Sequence, residues 1–423
     1  MENGRLLSYL YNEKLSKDSY MDILEFIYNY RIYRYGNHNK IDNDRKISIL
    51  KEKLKDWLRE IYCFEKIFIK SQSKCESSET ILSSAYFDAN NHLKHLGFNP
   101  VDGPWKVNGS SNFIKDIRYV HDYYSFLRII NSIPFQDLIS TTGESLVSGI
   151  VEKTRDLLRR NDIKAVIANS THTFSNRLPL KAAQLEKLPT FVFLHGLPFP
   201  FYYEEPSRTD YLVVWSEKIK ENFVEMTKFP ANRIFVSGHP FYQKLCINKL
   251  RFSLDNILII SPSCEAERMN DRGNMISFLL EVKDVLVKFG VKEVRFRPHP
   301  HENAFWYLKF IDKSFFKPDL RPISQALKNS TLVMGTISTV ILEALYYGVN
   351  YLLYDPLDSN GINIYGHKPV PPFDGNDRYL PIARTKEDIE VMIKNKEKVN
   401  VELFNEYIQT PFDISFIKKM IKS

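Results

Sequence analysis

Two stretches decide how this chain folds: Val291-Lys-Glu-Val-Arg-Phe-Arg297-Pro298-His299-Pro300, and Leu332-Val-Met-Gly335-Thr336-Ile337-Ser338-Thr339-Val-Ile-Leu-Glu343-Ala-Leu345. In the first, Val291, Val294 and Phe296 suggest a short strand. A residue that precedes proline is pushed out of the α region, so the strand ends in a stiff turn carrying an imidazole. In the second, Leu332-Val-Met reads as another short strand, and a helix is expected to open at Ser338 or Thr339. Hydroxyl caps and uncapped amides there would form an anion site. Glu343 lies about one turn further in, within reach of a sugar attached to a phosphate held at the helix start. A histidine and a hydroxyl-bearing helix start, both at strand C-ends, suggest a site for the phosphate of a nucleotide sugar.

Working outward, 423 residues suffice for two α/β domains with full cores. Hydrophobic content of 43% and charged content of 26% place the chain among soluble globular proteins. A net charge of +7 favours anionic partners such as nucleotides, acidic glycans or an anionic membrane face. The basic residues are interspersed with acidic ones, which argues against a nucleic-acid binder. Cys63, Cys75, Cys246 and Cys264 show no Cys-x-x-Cys spacing, so neither a zinc site nor a disulfide framework is expected. Met1-Glu-Asn-Gly-Arg5 lacks the layout of a signal peptide, and no apolar run approaches the roughly eighteen residues of a membrane span. The expected location is the cytoplasm, with peripheral association at the cytoplasmic face of the inner membrane as an option.

The first 70 or so residues read as helices, from the 3–4 spacing of apolar positions around residues 20–28 and 47–58. Asp42-Asn43-Asp44 resembles a metal-binding Asp-x-Asp, but its hydrophilic setting makes it a solvated turn. An α/β pattern begins near Lys66-Ile-Phe-Ile-Lys70 and Thr80-Ile-Leu-Ser-Ser84, and Asn99-Pro-Val-Asp-Gly-Pro-Trp105 reads as a turn cluster. Strands are expected at 163–169, 190–194, 211–216 and 233–237, with helices at 177–188 and 217–226. After a charged passage at 241–255 the pattern restarts at Asn256-Ile-Leu-Ile-Ile-Ser261. The fold class is therefore α/β: two doubly wound Rossmann-like domains facing a central cleft, the GT-B architecture, with an extra helical N-terminal segment. The expected domains are 1–248 on the acceptor side and 249–423 for the nucleotide sugar. The basic amphipathic helix at the C-terminus suits packing on the protein, on the first domain if it returns there.

Open α/β sheets bind ligands beyond the C-ends of their strands. By that rule the first domain offers His172 and Glu204 for the acceptor side, with His195 and Glu205 as competing bases. The second offers Ser261, Ser263, Arg297, His299, Pro300, Thr336, Ser338, Thr339 and Glu343. His239, in Gly-His-Pro, reads as a turn residue, and His301 is expected to face away from the site. His172 serves equally as a cap for its own loop.

The ordered set Phe193-Leu-His195-Gly, Val236-Ser-Gly238-His-Pro240, Ile259-Ile-Ser261-Pro-Ser263, Arg297-Pro-His-Pro300 and Ser338-Thr-Val-Ile-Leu-Glu343-Ala resembles GT-B enzymes of bacterial surface polysaccharides. It is similar to sialyltransferases, polysialyltransferases and capsular Kdo transferases, in which an HP motif and a following Ser/Thr motif hold the phosphate of a CMP-sugar. The resemblance covers residues 160–355 or so and gives those roles to His299-Pro300 and Ser338-Thr339. Glycerol-phosphate polymerases of teichoic acid synthesis share the His-Gly-x-Pro and HP elements but usually carry Asp-Tyr-Ser-Ser where this chain has Gly335-Thr-Ile-Ser-Thr339. The acidic motif of the sialyltransferases has no match here, since Pro206 follows Glu204-Glu205.

The resemblance implies a glycosyltransferase that uses a CMP-activated nonulosonic acid or Kdo as donor substrate, with no cofactor and no metal, and a glycan or glycolipid as acceptor. His299, the helix start and Arg297 would neutralise the leaving phosphate. Open alternatives are a CDP-glycerol-type phosphotransferase, a UDP-sugar epimerase of the same fold and a glycan-binding assembly protein.

Overall fold

The computed structural model describes Ile23, Ile27, Leu54 and residues 57–422 apart from 68–78, 85–88, 106–111, 139, 172, 199–207, 243, 244, 246, 248, 262–268, 300, 301 and 365. Two parallel six-stranded sheets organise these residues. The first contains β1 (Glu79–Ser83), β2 (Phe98–Val101), β3 (Ile163–Ala168), β4 (Thr190–Phe193), β5 (Tyr211–Val214) and β6 (Ile234–Val236), in the order β2-β1-β3-β4-β5-β6. The second contains β7 (Ile257–Ile260), β8 (Val294–Arg297), β9 (Phe316–Pro318), β10 (Leu332–Gly335), β11 (Tyr351–Tyr354) and β12 (Ile382–Ala383), in the order β12-β11-β10-β7-β8-β9. Each order reverses once, between β1 and β3 and between β7 and β10. Those reversals open the crevices in which doubly wound sheets hold ligands.

Strands form where short apolar runs can be buried on both faces. In the first sheet Ile81, Ala165, Ile167, Phe191, Phe193 and Val213 face one core, while Leu82, Val166, Ala168, Val192, Leu212 and Val214 face the other. Ile257–Ile260, Leu332–Gly335 and Tyr351–Tyr354 are buried throughout. Gly335 is set by close packing. A Cβ there would lie 2.5 Å from the Tyr351 hydroxyl and 2.7 Å from Ile260 Cγ1.

Three edge strands differ from the sequence expectation. Asn99-Pro-Val, expected to be a turn, lies in β2, where an edge position tolerates the proline's missing donor. β9 and β12 were not expected at all; they are two or three residues long at the two margins of the second sheet, too short for a periodic signal. Lys66 and Ile67, expected to begin a strand, are helical. Ile23 and Ile27 are helical and buried in the main core, and the Asp42-Asn43-Asp44 turn lies outside the described residues.

The end of the chain lies against the first sheet. Gln409, Pro411 and Asp413 run along the ends of β5 and β6, with the Gln409 amide donating to the Trp215 carbonyl (3.2 Å) and the Asp413 amide to that of Ser237 (2.7 Å). Ile414 and Ile417 then bury against the sheet beside Phe191 and Val213, and Phe416 stacks on Phe235 at 4.4 Å. The apolar face of the helix Phe416–Lys422 is thereby used within the protein.

Candidate functional site

In the second sheet, Ile260 pairs with both Gly335 and Arg297, so the residues that follow β7, β8 and β10 emerge side by side at the reversal point. Ser261 is buried there, its amide donating to the Arg297 carbonyl (3.3 Å) and its hydroxyl without a partner among the described residues. A buried hydroxyl left this way is costly unless something else meets it. Thr336 is fully buried, and its carbonyl accepts a 2.6 Å hydrogen bond from the Tyr351 hydroxyl, which fixes the start of the loop after β10.

The helix after that loop spans Val340–Tyr346, starting later than the sequence suggested. Ser338 Oγ accepts from the Val340 amide at 3.2 Å, so this hydroxyl does bond the first turn. Thr339 does not cap its helix. Its hydroxyl accepts a 2.9 Å hydrogen bond from the Leu197 amide, in the loop after β4 of the first sheet. One bond therefore joins the strand-end loops of the two sheets. Both reversal points consequently open towards a shared cleft, which makes this a GT-B protein in architecture.

Glu343 is largely buried. Burial pushes its carboxyl above the usual range, and the Arg297 guanidinium works against that shift. Arg297 itself is partly committed, because its Nη1 donates to the carbonyls of Asp319 (3.1 Å) and Arg321. It therefore holds the loop after β9 while its charge acts on Glu343. His299 is half-buried in the turn after β8, and its carbonyl accepts from the Glu302 amide at 2.8 Å.

On the opposite wall, His195 Nδ1 sits 2.7 Å from the Asn169 carbonyl oxygen. A carbonyl can only accept, so Nδ1 carries the proton and the neutral ring has its lone pair on Nε2. The loop around Asn169 is held from the helix Phe174–Leu185: Asn176 Nδ2 donates to Asn169 Oδ1 (2.9 Å) and Arg177 Nε to the Thr171 carbonyl (3.1 Å). Ser84, at the end of β1, donates to Asn176 Oδ1 at 2.8 Å. Sequence reasoning passed over Ser84, Asn169, Asn176 and Arg177. The usable signal was their place at the β1–β3 reversal, which becomes visible only once the strand order is known.

His239 is structural. Its Nδ1 accepts from the amides of Phe241 (3.2 Å) and Tyr242 (3.3 Å), its ring stacks on Tyr242, and burial lowers its pKa to about 4. Asp355, also unforeseen, lies buried just after β11. Arg384 Nη1 donates to its Oδ2 at 2.6 Å, Oδ1 has no partner among the described residues, and burial raises its carboxyl to about 6 against the pull of Arg384. Glu204, Glu205, His172, Ser263, Pro300 and His301 lie outside the described residues. Among the described residues no group of three or more His, Cys, Asp or Glu side chains is placed to hold a metal ion, and no helix is long and apolar enough to cross a membrane.

No protein-family profile matches the chain, and no curated protein matches it. Solved structures with a similar chain path include a UDP-GlcNAc 2-epimerase from Neisseria meningitidis bound to UDP-GlcNAc (12% identity, TM-score 0.46, covering 82% of this chain and 100% of that one). They also include a variant of the wall teichoic acid polymerase TagF (12%, TM-score 0.43, 89% and 97%) and the lipopolysaccharide outer core galactosyltransferase WaaB in its apo form (14%, TM-score 0.44, 81% and 97%). Strand order and the Leu197–Thr339 bond define the architecture independently of these likenesses.

Proposed function

We propose that this protein transfers a sugar from a nucleotide-activated donor to a glycan or glycolipid acceptor. The donor we infer is a CMP-linked nonulosonic acid, such as a sialic-acid-like sugar or Kdo, used in capsule or lipopolysaccharide assembly. The supporting observation is the Leu197–Thr339 hydrogen bond, because it places the loop bearing His195 against the helix start beside Ser338. The base candidate and the residues proposed to hold the phosphate thus line one cleft.

On this reading the donor phosphate lies at the β7–β10 reversal, against Ser261, His299, Ser338 and the loop at Thr336. Arg297 acts mainly as a positioning residue, holding the loop after β9 and offsetting Glu343. Glu343, inside the same helix, reaches the sugar attached to the phosphate. In the reaction the acceptor oxygen bonds to the donor's anomeric carbon as the bond from that carbon to the phosphate oxygen breaks. CMP leaves with the electron pair, and the acceptor proton passes to the base, His195 Nε2 or the Glu205 carboxylate. Hydrogen-bond donors already aimed at the leaving phosphate lower the barrier without reorganisation.

A thermal-shift series with CMP, UMP, CDP, UDP and GDP at equal concentration tests the nucleotide. A ligand at 100 times its Kd stabilises by about 2.7 kcal/mol, which is readily measured. CMP is expected to give the largest shift. A larger shift with UDP, together with interconversion of a UDP-sugar in the absence of acceptor, would replace the transferase by an epimerase.

A further inference from the structure

His195 does not stand alone at the β1–β3 reversal. Its Nδ1 meets the Asn169 carbonyl at 2.7 Å, and the Asn169 side chain is held through Oδ1 by Asn176 Nδ2 at 2.9 Å. Asn176 is itself 7% exposed and accepts from the Ser84 hydroxyl at 2.8 Å. The Ser84 amide donates to the Ile167 carbonyl at 2.9 Å, which ties the far end of the chain of bonds to β3. Three elements thus meet around one residue, Asn169: the end of β1, the end of β3 and the first turn of the helix Phe174–Leu185.

We infer that Asn176 and Ser84 are positioning residues that hold the Asn169 carbonyl against His195 Nδ1, so that the neutral imidazole is kept as the Nδ1–H tautomer with Nε2 as its basic nitrogen.

The physical need is plain. A neutral imidazole in water exchanges between two tautomers, and only one of them places the lone pair on a given nitrogen. A backbone carbonyl selects the tautomer without adding charge, but it does so only while its peptide plane is fixed. The loop from Asn169 to Thr173 contains no helix or strand of its own among its described residues, so side chains from neighbouring elements must fix it. Asn176 suits that task, since its amide can donate to Asn169 and accept from Ser84 at once. Arg177 secures the next part of the same loop through the Thr171 carbonyl. Two adjacent polar residues on one buried helical turn are therefore spent on a single loop.

The inference rests on His195 being the base, and its test is chosen to survive if that assignment fails. Protein labelled with 15N-histidine is examined by NMR at a pH where the ring is neutral, the His195 signals being assigned by their loss in His195→Gln. In the parent protein Nδ1 is expected at the protonated, pyrrole-like position and Nε2 at the pyridine-like one. In Asn176→Ala the two resonances should move towards each other as both tautomers populate. In Ser84→Ala they should move the same way by a smaller amount, which keeps the test decisive if Asn176→Ala does not fold. In parallel, transfer from a CMP-sugar should fall at least tenfold in kcat for Asn176→Ala, with the Kd for CMP within about twofold of the parent. A parent spectrum showing the Nε2–H tautomer, or resonances unmoved in folded variants, overturns the inference. Altered resonances in a protein with no transferase activity would keep the positioning role and remove the proposed reaction instead.

Discussion

The amide of Leu197 donates a hydrogen bond of 2.9 Å to the hydroxyl of Thr339, across the gap between the two sheets. Leu197 is fully buried and follows the His195-Gly turn, while Thr339 precedes the helix that carries Glu343. A bond in this position ties the loop after β4 to the loop after β10 at the cleft.

Replacing Thr339 by valine removes the acceptor and leaves the Leu197 amide unsatisfied. The expected loss is about 1 kcal/mol in the stability of the contact between the two loops, seen as a several-fold fall in kcat/KM. Thr339→Ser, which keeps the hydroxyl, should restore most of it. Equal activity in valine and serine variants would show that the bond does not matter for turnover.

Glu343→Gln tests the buried carboxylate. Burial raises the Glu343 carboxyl, so the folded state keeps its proton to higher pH than the unfolded chain does. Its contribution is therefore most favourable at acid pH and declines as pH rises from the ordinary glutamate range through the raised folded value. The glutamine variant should lose that part of the pH dependence in denaturant titrations. It should also bind donor roughly tenfold more weakly, the range for one lost hydrogen bond to a charged group. Unchanged donor affinity would take Glu343 out of the site.

His239 predicts the opposite slope. Its folded pKa is depressed to about 4, whereas an unfolded histidine titrates near 6.5, so the unfolded chain takes up the proton first as pH falls. Stability should drop by up to about 3 kcal/mol between pH 6.5 and 4 from this residue alone. His239→Asn offers an acceptor oxygen in place of Nδ1 and does not titrate. Urea melts at pH 7 and 4.5 should show a smaller difference for the variant; an equal difference would place the acid sensitivity elsewhere.

Two glycines give a matched pair. Gly238 has φ +72°, and a Cβ there would lie 2.6 Å from the Pro411 carbonyl oxygen and 2.8 Å from that of Gln409. Gly238→Ala should cost roughly 1–3 kcal/mol or more, because backbone strain and overpacking coincide where the end of the chain crosses β6. Gly149 is exposed within the helix Thr141–Arg160 with nothing near its missing Cβ. Gly149→Ala should stabilise by about 0.8 kcal/mol through helix propensity. Both are read by equilibrium unfolding, and a neutral Gly238→Ala would mean that residues 409–411 pack more loosely than described.

Much of the architecture was legible in the chain itself. Ile257–Ile260 reads as a buried strand because four consecutive apolar residues have no polar face, and the structure has β7 at those residues. Ser338 marks the loop beyond β10, since a hydroxyl that accepts from the first amide of the following helix is a local requirement. Edge strands escaped that reading: β9 and β12 are short, and β2 contains Pro100. What the sequence determined by itself was the alternation of strand and helix and the residue types available at strand ends, because both follow from local periodicity and turn chemistry. Only the tertiary structure decided that Thr339 spends its hydroxyl on Leu197 and not on its own helix, and that Ser84, Asn169 and Asn176 stand behind His195. Those contacts depend on strand order and on how the sheets meet. Residues 142 apart in the chain, such as Leu197 and Thr339, leave no mark of their adjacency in either local stretch.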